Sequence, residues 1–187
     1  MILYLVIIAV CMVIVVMLNW LALGWTFLGA LYWVSVTTGI EFGIMVVLAI
    51  LTGLCLPHIF YHECKLYAVG PREIKFYRAI GLPAWKDRVI ELGALGGFSK
   101  KKLVAPNDSG YIDRFIYELN KGMFMHAVAV VGAFLIMAVP VPGLWSIRLP
   151  VALVGAFLNI LPLMVLRYNK PRLLLVKKRL ARQQEEQ

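Results

Sequence analysis

Residues 117–134 read YELNKGMFMHAVAVVGAF, and His126 there opens a run with no other ionisable side chain until Arg148. An imidazole is the side chain best suited to take up and return a proton near neutral pH. Glu118 stands eight residues earlier, on a neighbouring rather than the same helical face. It polarises the ring only if the helix bends or a third group intervenes. The plain alternative for His126 is an interfacial ring bonding a lipid headgroup phosphate. Asn159 poses a related question, because an amide in an apolar helix wants a hydrogen-bond partner. Asn169 repeats the residue type further along. The stretch HIFYHE carries His58, His62 and Glu63, and two rings four residues apart have metal-ligand spacing on a helix. Three histidines in the chain are too few for a histidine-rich di-iron site. A juxtamembrane surface pair holding no metal is the reading taken.

The elements that must position these groups are apolar. The chain is 61% hydrophobic with a mean hydropathy of +0.82, well above the ordinary range for soluble domains. A bilayer-crossing helix needs about 20 apolar residues. Four runs qualify, at residues 1–23, 37–56, 123–139 and 149–166, the second stopped by Pro57 and the third by the turn PVPG. The fold expected is an all-α integral membrane protein with about four transmembrane helices. Residues 24–36 (GWTFLGALYWVSV) are apolar but short, and their Trp25, Tyr32 and Trp33 suit an interfacial or re-entrant segment. Glu41 then falls near the start of its span, where it reaches the outer interface. The first run lacks a basic start and a cleavage site, so it reads as a retained signal anchor.

Eleven of the nineteen Lys and Arg residues fall in 58–122 and seven from Arg167 onward. The basic excess puts the middle segment, 57–122, and the tail, 167–187, on the cytoplasmic side. The net charge of +9 fits this bias and contact with anionic lipid better than nucleic acid. Cys11, Cys55 and Cys64 form no disulfide framework.

The middle segment reads as helices at the membrane surface. PREIKFYRAI (71–80) has proline at a first helical position and Gly81 as its stop, and PAWKDRVIEL (83–92) repeats the pattern up to Gly93. GGFSKKK (96–102) is a turn and a basic patch. NDSG (107–110) caps a helix whose Ile112, Phe115, Ile116 and Leu119 share a face and which runs on into the third span. After the last span, Pro171 ends the helix and LLLVKKRLAR lies on the surface. One compact helical membrane domain is the simplest arrangement.

Three blocks of sequence together resemble a family. NILPLMVLRYNKPRL (159–173) is similar to the closing motif N-x-P-x-x-x-x-x-R-Y-N-R-P-R-L of the glycosyl-4,4'-diaponeurosporenoate acyltransferases, small membrane enzymes of bacterial carotenoid pathways. FYRAIGLPAWKDR (76–88) resembles the family's aromatic-Trp-Lys-x-Lys/Arg segment. Residues 115–126 resemble E-x-x-x-A-E-x-x-H-W with the glutamate-to-histidine spacing kept. Met123 stands where the pattern has its second glutamate, Ala127 where it has tryptophan, and Lys170 where it has arginine; Pro162 lies one place late.

The resemblance implies transfer of a fatty acyl group from an activated donor to a sugar hydroxyl on a lipid. Such a step needs a base for the hydroxyl proton and a donor for the oxyanion. His126 would be the base, Glu118 its orienting acid, and Asn159, Asn169 and Tyr168 hydrogen-bond donors. Lys86, Arg88, Arg167 and Arg172 would hold phosphates of an acyl-CoA-like co-substrate, with Trp85 and Asp87 in the same substrate-binding set. No resident cofactor is implied. The partners are membrane lipid, the acyl donor and a lipid-linked sugar. Other acceptors (another glycolipid or a lipoprotein amine) and a non-enzymatic subunit with a basic cytoplasmic face are the competing readings. The orientation is testable: cysteines placed at Lys101 and Gln183 should be shielded from an impermeant thiol reagent in intact bacteria. Labelling of either from outside overturns it.

Overall fold

A 21-residue helix without a charged side chain, α1 (Ile2–Ala22), opens the computed structural model, which describes residues 2–55, 57–61, 65–89 and 103–185. The other helices are α2 (Phe27–Cys55), α3 (Pro71–Ala79), α4 (Leu82–Trp85), α5 (Ser109–Gly132) and α6 (Leu149–Glu185). Short 3-10 turns (Pro57–Phe60, Lys86–Arg88, Ala133–Ala138) and one π turn (Leu144–Arg148) join them. Among the described residues there is no strand. Four helical stretches, Tyr4–Ala22, Phe27–Leu54, Ser109–Ala138 and Leu144–Glu185, are long and apolar enough to cross a bilayer. This is an all-helical membrane protein, as the hydropathy predicts.

The second span differs from expectation. Residues 27–36 are not a segment apart but the first turns of α2, whose 29 residues run unbroken to Cys55. Gly29 alone does not interrupt the helical hydrogen-bonding of this stretch, so it elongates the apolar run behind it. Glu41 is therefore the central residue of α2 and is buried, not a side chain reaching an interface. The fourth element differs too. Pro171 does not end it: α6 continues through Pro162 and Pro171 to Glu185. A proline removes one hydrogen bond and tilts the axis, and buried Lys170 and Leu173 on either side anchor the helix beyond it.

The residues pack as two units. One comprises Met1–Leu54 with Met125–Ile160. Its core is Val15, Val16, Ala30, Val34, Ile147 and Val151. On α2 the buried residues Ala30, Val34, Thr37 and Glu41 recur at helical spacing and define the face turned inward. The polar members of this unit are mostly satisfied locally. Thr37 and Thr52 donate to the carbonyls of Trp33 and Leu48. Asn19 Nδ2 donates to Val15 O at 2.8 Å and Ser146 O at 3.0 Å. Arg148 Nη1 donates to the carbonyls of Met137 and Val139, at the end of α5's terminal 3-10 turn. Large exposed side chains such as Leu28, Phe42 and Leu54 cover the outside, where lipid is the solvent.

The other unit comprises Cys55–Phe124 with Leu161–Gln187. Asp108 caps α5, its Oδ1 accepting from Tyr111 N. The predicted face of Ile112, Phe115, Ile116 and Leu119 is buried with Phe60, Tyr67, Met123 and Leu173. Met123, where the resembled pattern has a glutamate, thus belongs to an apolar core. α3 starts at Pro71 and is followed by Gly81 at φ 69°, in the left-handed region. The expected helix over 83–92 is α4 plus a 3-10 turn as far as Arg88. Its end, the turn and basic patch at 96–102, and His62 and Glu63 lie outside the described residues, so only His58, exposed on the turn Pro57–Phe60, is placed.

A buried cation holds this second unit together. Lys170 is 1% exposed. Its Nζ donates to Asn120 Oδ1 at 2.9 Å and lies 5.2 Å from the Tyr67 ring centre. Asn120 Nδ2 in turn donates to Phe60 O at 3.0 Å. Asn120→Ala strips both bonds and leaves an ammonium short of an acceptor, and should cost about 3 kcal/mol in detergent-based unfolding. Lys170→Met, which removes the charge as well, should cost less; equal losses would contradict this account.

Candidate active site

His126 and Asn159 meet in the first unit. Nδ1 of the ring lies 3.1 Å from Asn159 Oδ1. The amide's orientation follows from its other end: Asn159 Nδ2 donates to Gly155 O at 3.0 Å, and Met45 Sδ lies 4.0 Å from the same nitrogen. Reversing the amide would set its oxygen against the Gly155 carbonyl, so Oδ1 must face the histidine. An oxygen there can only accept. Nδ1 therefore carries the ring proton, and the lone pair sits on Nε2, the tautomer a general base needs. The orienting group for the ring is thus an amide on α6. Glu118 is half-buried in a recess with Tyr61, Asp113, Arg114 and Tyr117. Asn159 Oδ1 faces the ring, and its amide nitrogen faces Gly155 O and Met45 Sδ.

Sequence reasoning passed over Glu41. It is 5% exposed, and neither carboxyl oxygen has a hydrogen-bond partner. It lies against Gly155, where a Cβ would fall 2.6 Å from Oε1. Only glycine leaves the carboxyl that space. The signal was available: joining residues 27–36 to the run behind them puts Glu41 at mid-span, where an acid is costly.

The remaining residues of the expected site lie in the second unit. Tyr77, Leu82 and Tyr168 form a buried cluster with Trp85 against it, and Trp85 Nε1 donates to Ile80 O. Arg172 lies over the Tyr168 ring at 4.8 Å and donates to its hydroxyl at 2.8 Å. The structure thus brings Trp85, Tyr168 and Arg172 to one place. Lys86 and Asn169 are half-buried, and Asp87 and Arg88 exposed. Arg167 is engaged differently. Its guanidinium holds both carboxylate oxygens of Glu73 and the carbonyls of Leu66 and Ala68. It clamps the segment leading into α3.

Glu73, which no local sequence signal singles out, is the other half of that clamp. The hydrogen bond from Arg167 holds its carboxyl below the ordinary 4.5 against the opposing cost of burial, helped by a bond from the Tyr77 hydroxyl. Burial and that same carboxylate push the Tyr77 phenol up. A depressed carboxyl contributes stability that is complete above its unfolded value and lost as pH falls through the folded one. Glu73→Gln should therefore lower stability by about 1–3 kcal/mol at neutral pH. The gap between variant and parent should close as the pH is taken below 4.5; a gap that persists in acid would show that the charge is not what matters.

The sequence model of the family described as CrtO, glycosyl-4,4'-diaponeurosporenoate acyltransferase, matches residues 57–179. The match takes in Glu118, His126, Asn159 and the closing motif, and it stops short of Glu41. No curated protein and no solved structure matches the chain.

Proposed function

The chain belongs to the CrtO glycosyl-4,4'-diaponeurosporenoate acyltransferase family, and on that premise we propose that it esterifies a sugar hydroxyl of a glycosyl carotenoid with a fatty acyl group, His126 acting as general base. The observation that carries the reading is the hydrogen bond from His126 Nδ1 to an Asn159 amide locked by Gly155. It fixes the tautomer that accepts a proton at Nε2.

In this mechanism Nε2 takes the proton of the acceptor hydroxyl as its oxygen attacks the carbonyl of an acyl thioester. The tetrahedral intermediate collapses with cleavage of the carbon–sulfur bond, and the imidazolium returns the proton to the departing thiolate. Asn159 acts as a positioning residue: its oxygen holds the Nδ1 proton throughout, so the ring does not turn over while charged. The donor is an acyl-CoA-like thioester, whose phosphates call for cationic partners. The acceptor's apolar chain belongs in the bilayer, which suits an imidazole carried on a membrane-spanning helix.

A general base contributes about 10²–10⁴-fold in rate. With glycosyl-4,4'-diaponeurosporenoate and an acyl-CoA, purified His126→Ala should lose that much turnover and keep its thermal stability. Asn159→Ala should lose a smaller factor, mainly in kcat, and Glu118→Gln less again. His126→Ala turning over within a few-fold of the parent would overturn the assignment.

A further inference from the structure

The helix α3 turns one face to α6 and leaves the other open. On the inner side Tyr77 is buried with Ile74 packed beside it, and Arg167 of α6 holds Glu73. Arg72, Lys75, Phe76 and Ala79 are all exposed, and their spacing of three and four residues puts them together on the opposite side. Phe76 is 56% exposed, with Arg78 and Ile80 exposed at the flanks of this face. The one acid of α3, Glu73, is committed to Arg167 and Tyr77. The helix's open face is therefore cationic and apolar, with no carboxylate of its own.

The clamp on the inner side sets the depth of this face. Arg167 is the first charged residue after the apolar run 149–166 of α6, so it stands where that helix leaves the hydrocarbon. Its guanidinium binds the carbonyls of Leu66 and Ala68 and the Glu73 carboxylate, which brings the first turn of α3 to the same level. Nine residues are too few for a helix to be stable alone; tied to α6, this one is already formed when a ligand arrives. We infer that the open face of α3 is a docking surface for anionic phospholipid. Phe76 enters the boundary between headgroups and acyl chains, while Arg72 and Lys75, with Arg78 at the flank, hold headgroup phosphates. Bulk water gives a ring of this size nothing to pack on, whereas the boundary does, and the stems of the long cationic side chains lie along it with their charges at the phosphates.

The test uses the full chain. In detergent, phosphatidylglycerol and phosphatidylcholine are titrated separately and bound lipid is counted by native mass spectrometry. The parent should prefer phosphatidylglycerol. Arg72→Gln with Lys75→Gln should weaken its tightest phosphatidylglycerol binding by about tenfold or more and leave phosphatidylcholine unchanged. The melting temperature should stay that of the parent, since both side chains are exposed. Equal affinity of parent and variant for phosphatidylglycerol overturns the docking surface. In nanodiscs, a nitroxide on Ala79→Cys, with the native cysteines replaced by alanine, should meet dissolved oxygen in preference to a water-soluble nickel complex. A label open to the nickel complex overturns the placement at the lipid boundary. Displacement of the bound phosphatidylglycerol by coenzyme A would assign the face to the phosphates of a soluble donor and overturn lipid as its occupant.

Discussion

The amide of Asn159 can hold only one orientation, because the carbonyl of Gly155 one turn earlier accepts from its nitrogen. Everything chemical in the first unit follows from that constraint. A fixed amide offers the histidine an oxygen and not a nitrogen, which decides the ring's tautomer and which nitrogen can act as a base. The same Gly155, lacking a Cβ, leaves room for the Glu41 carboxyl. In lipid no water competes for these groups, so an arrangement that would be one of several at an exposed surface becomes the defined one here.

The second unit uses its polar residues for holding. Arg167 draws the segment from Leu66 to Glu73 onto α6, and the Tyr77 and Tyr168 rings meet edge to face at 6.4 Å beside it. Tyr168 in turn carries Arg172. Arg167 is committed to carbonyls and a carboxylate, whereas Arg88 and Arg172 are open to solvent. The clamp and the aromatic cluster explain why α6 persists past Pro171: its last turns are bound by tertiary contacts that one missing hydrogen bond does not offset.

Much of the architecture was legible in the sequence. The four apolar runs, the buried face of α5, the Asp108 cap and the Gly81 stop all depend on residues a few positions apart, which local pattern records. The errors came where a local signal was read as a boundary. Residues 24–36 suggested a segment apart from the span behind them and Pro171 an end, but both helices run on. The site was legible only as residue types. His126 and Asn159 are 33 positions apart and Arg167 and Glu73 are 94. No periodicity reports such pairs.

The buried charges of the two units differ in a way that bears on what each does. Lys170 and Arg167 are met by acceptors or ring faces. Buried ion pairs and charged hydrogen bonds of that kind fix geometry at little net gain, and an apolar substitute of the same volume would often serve as well. Glu41 has no such partner, so its presence lowers the stability of the helix that carries it.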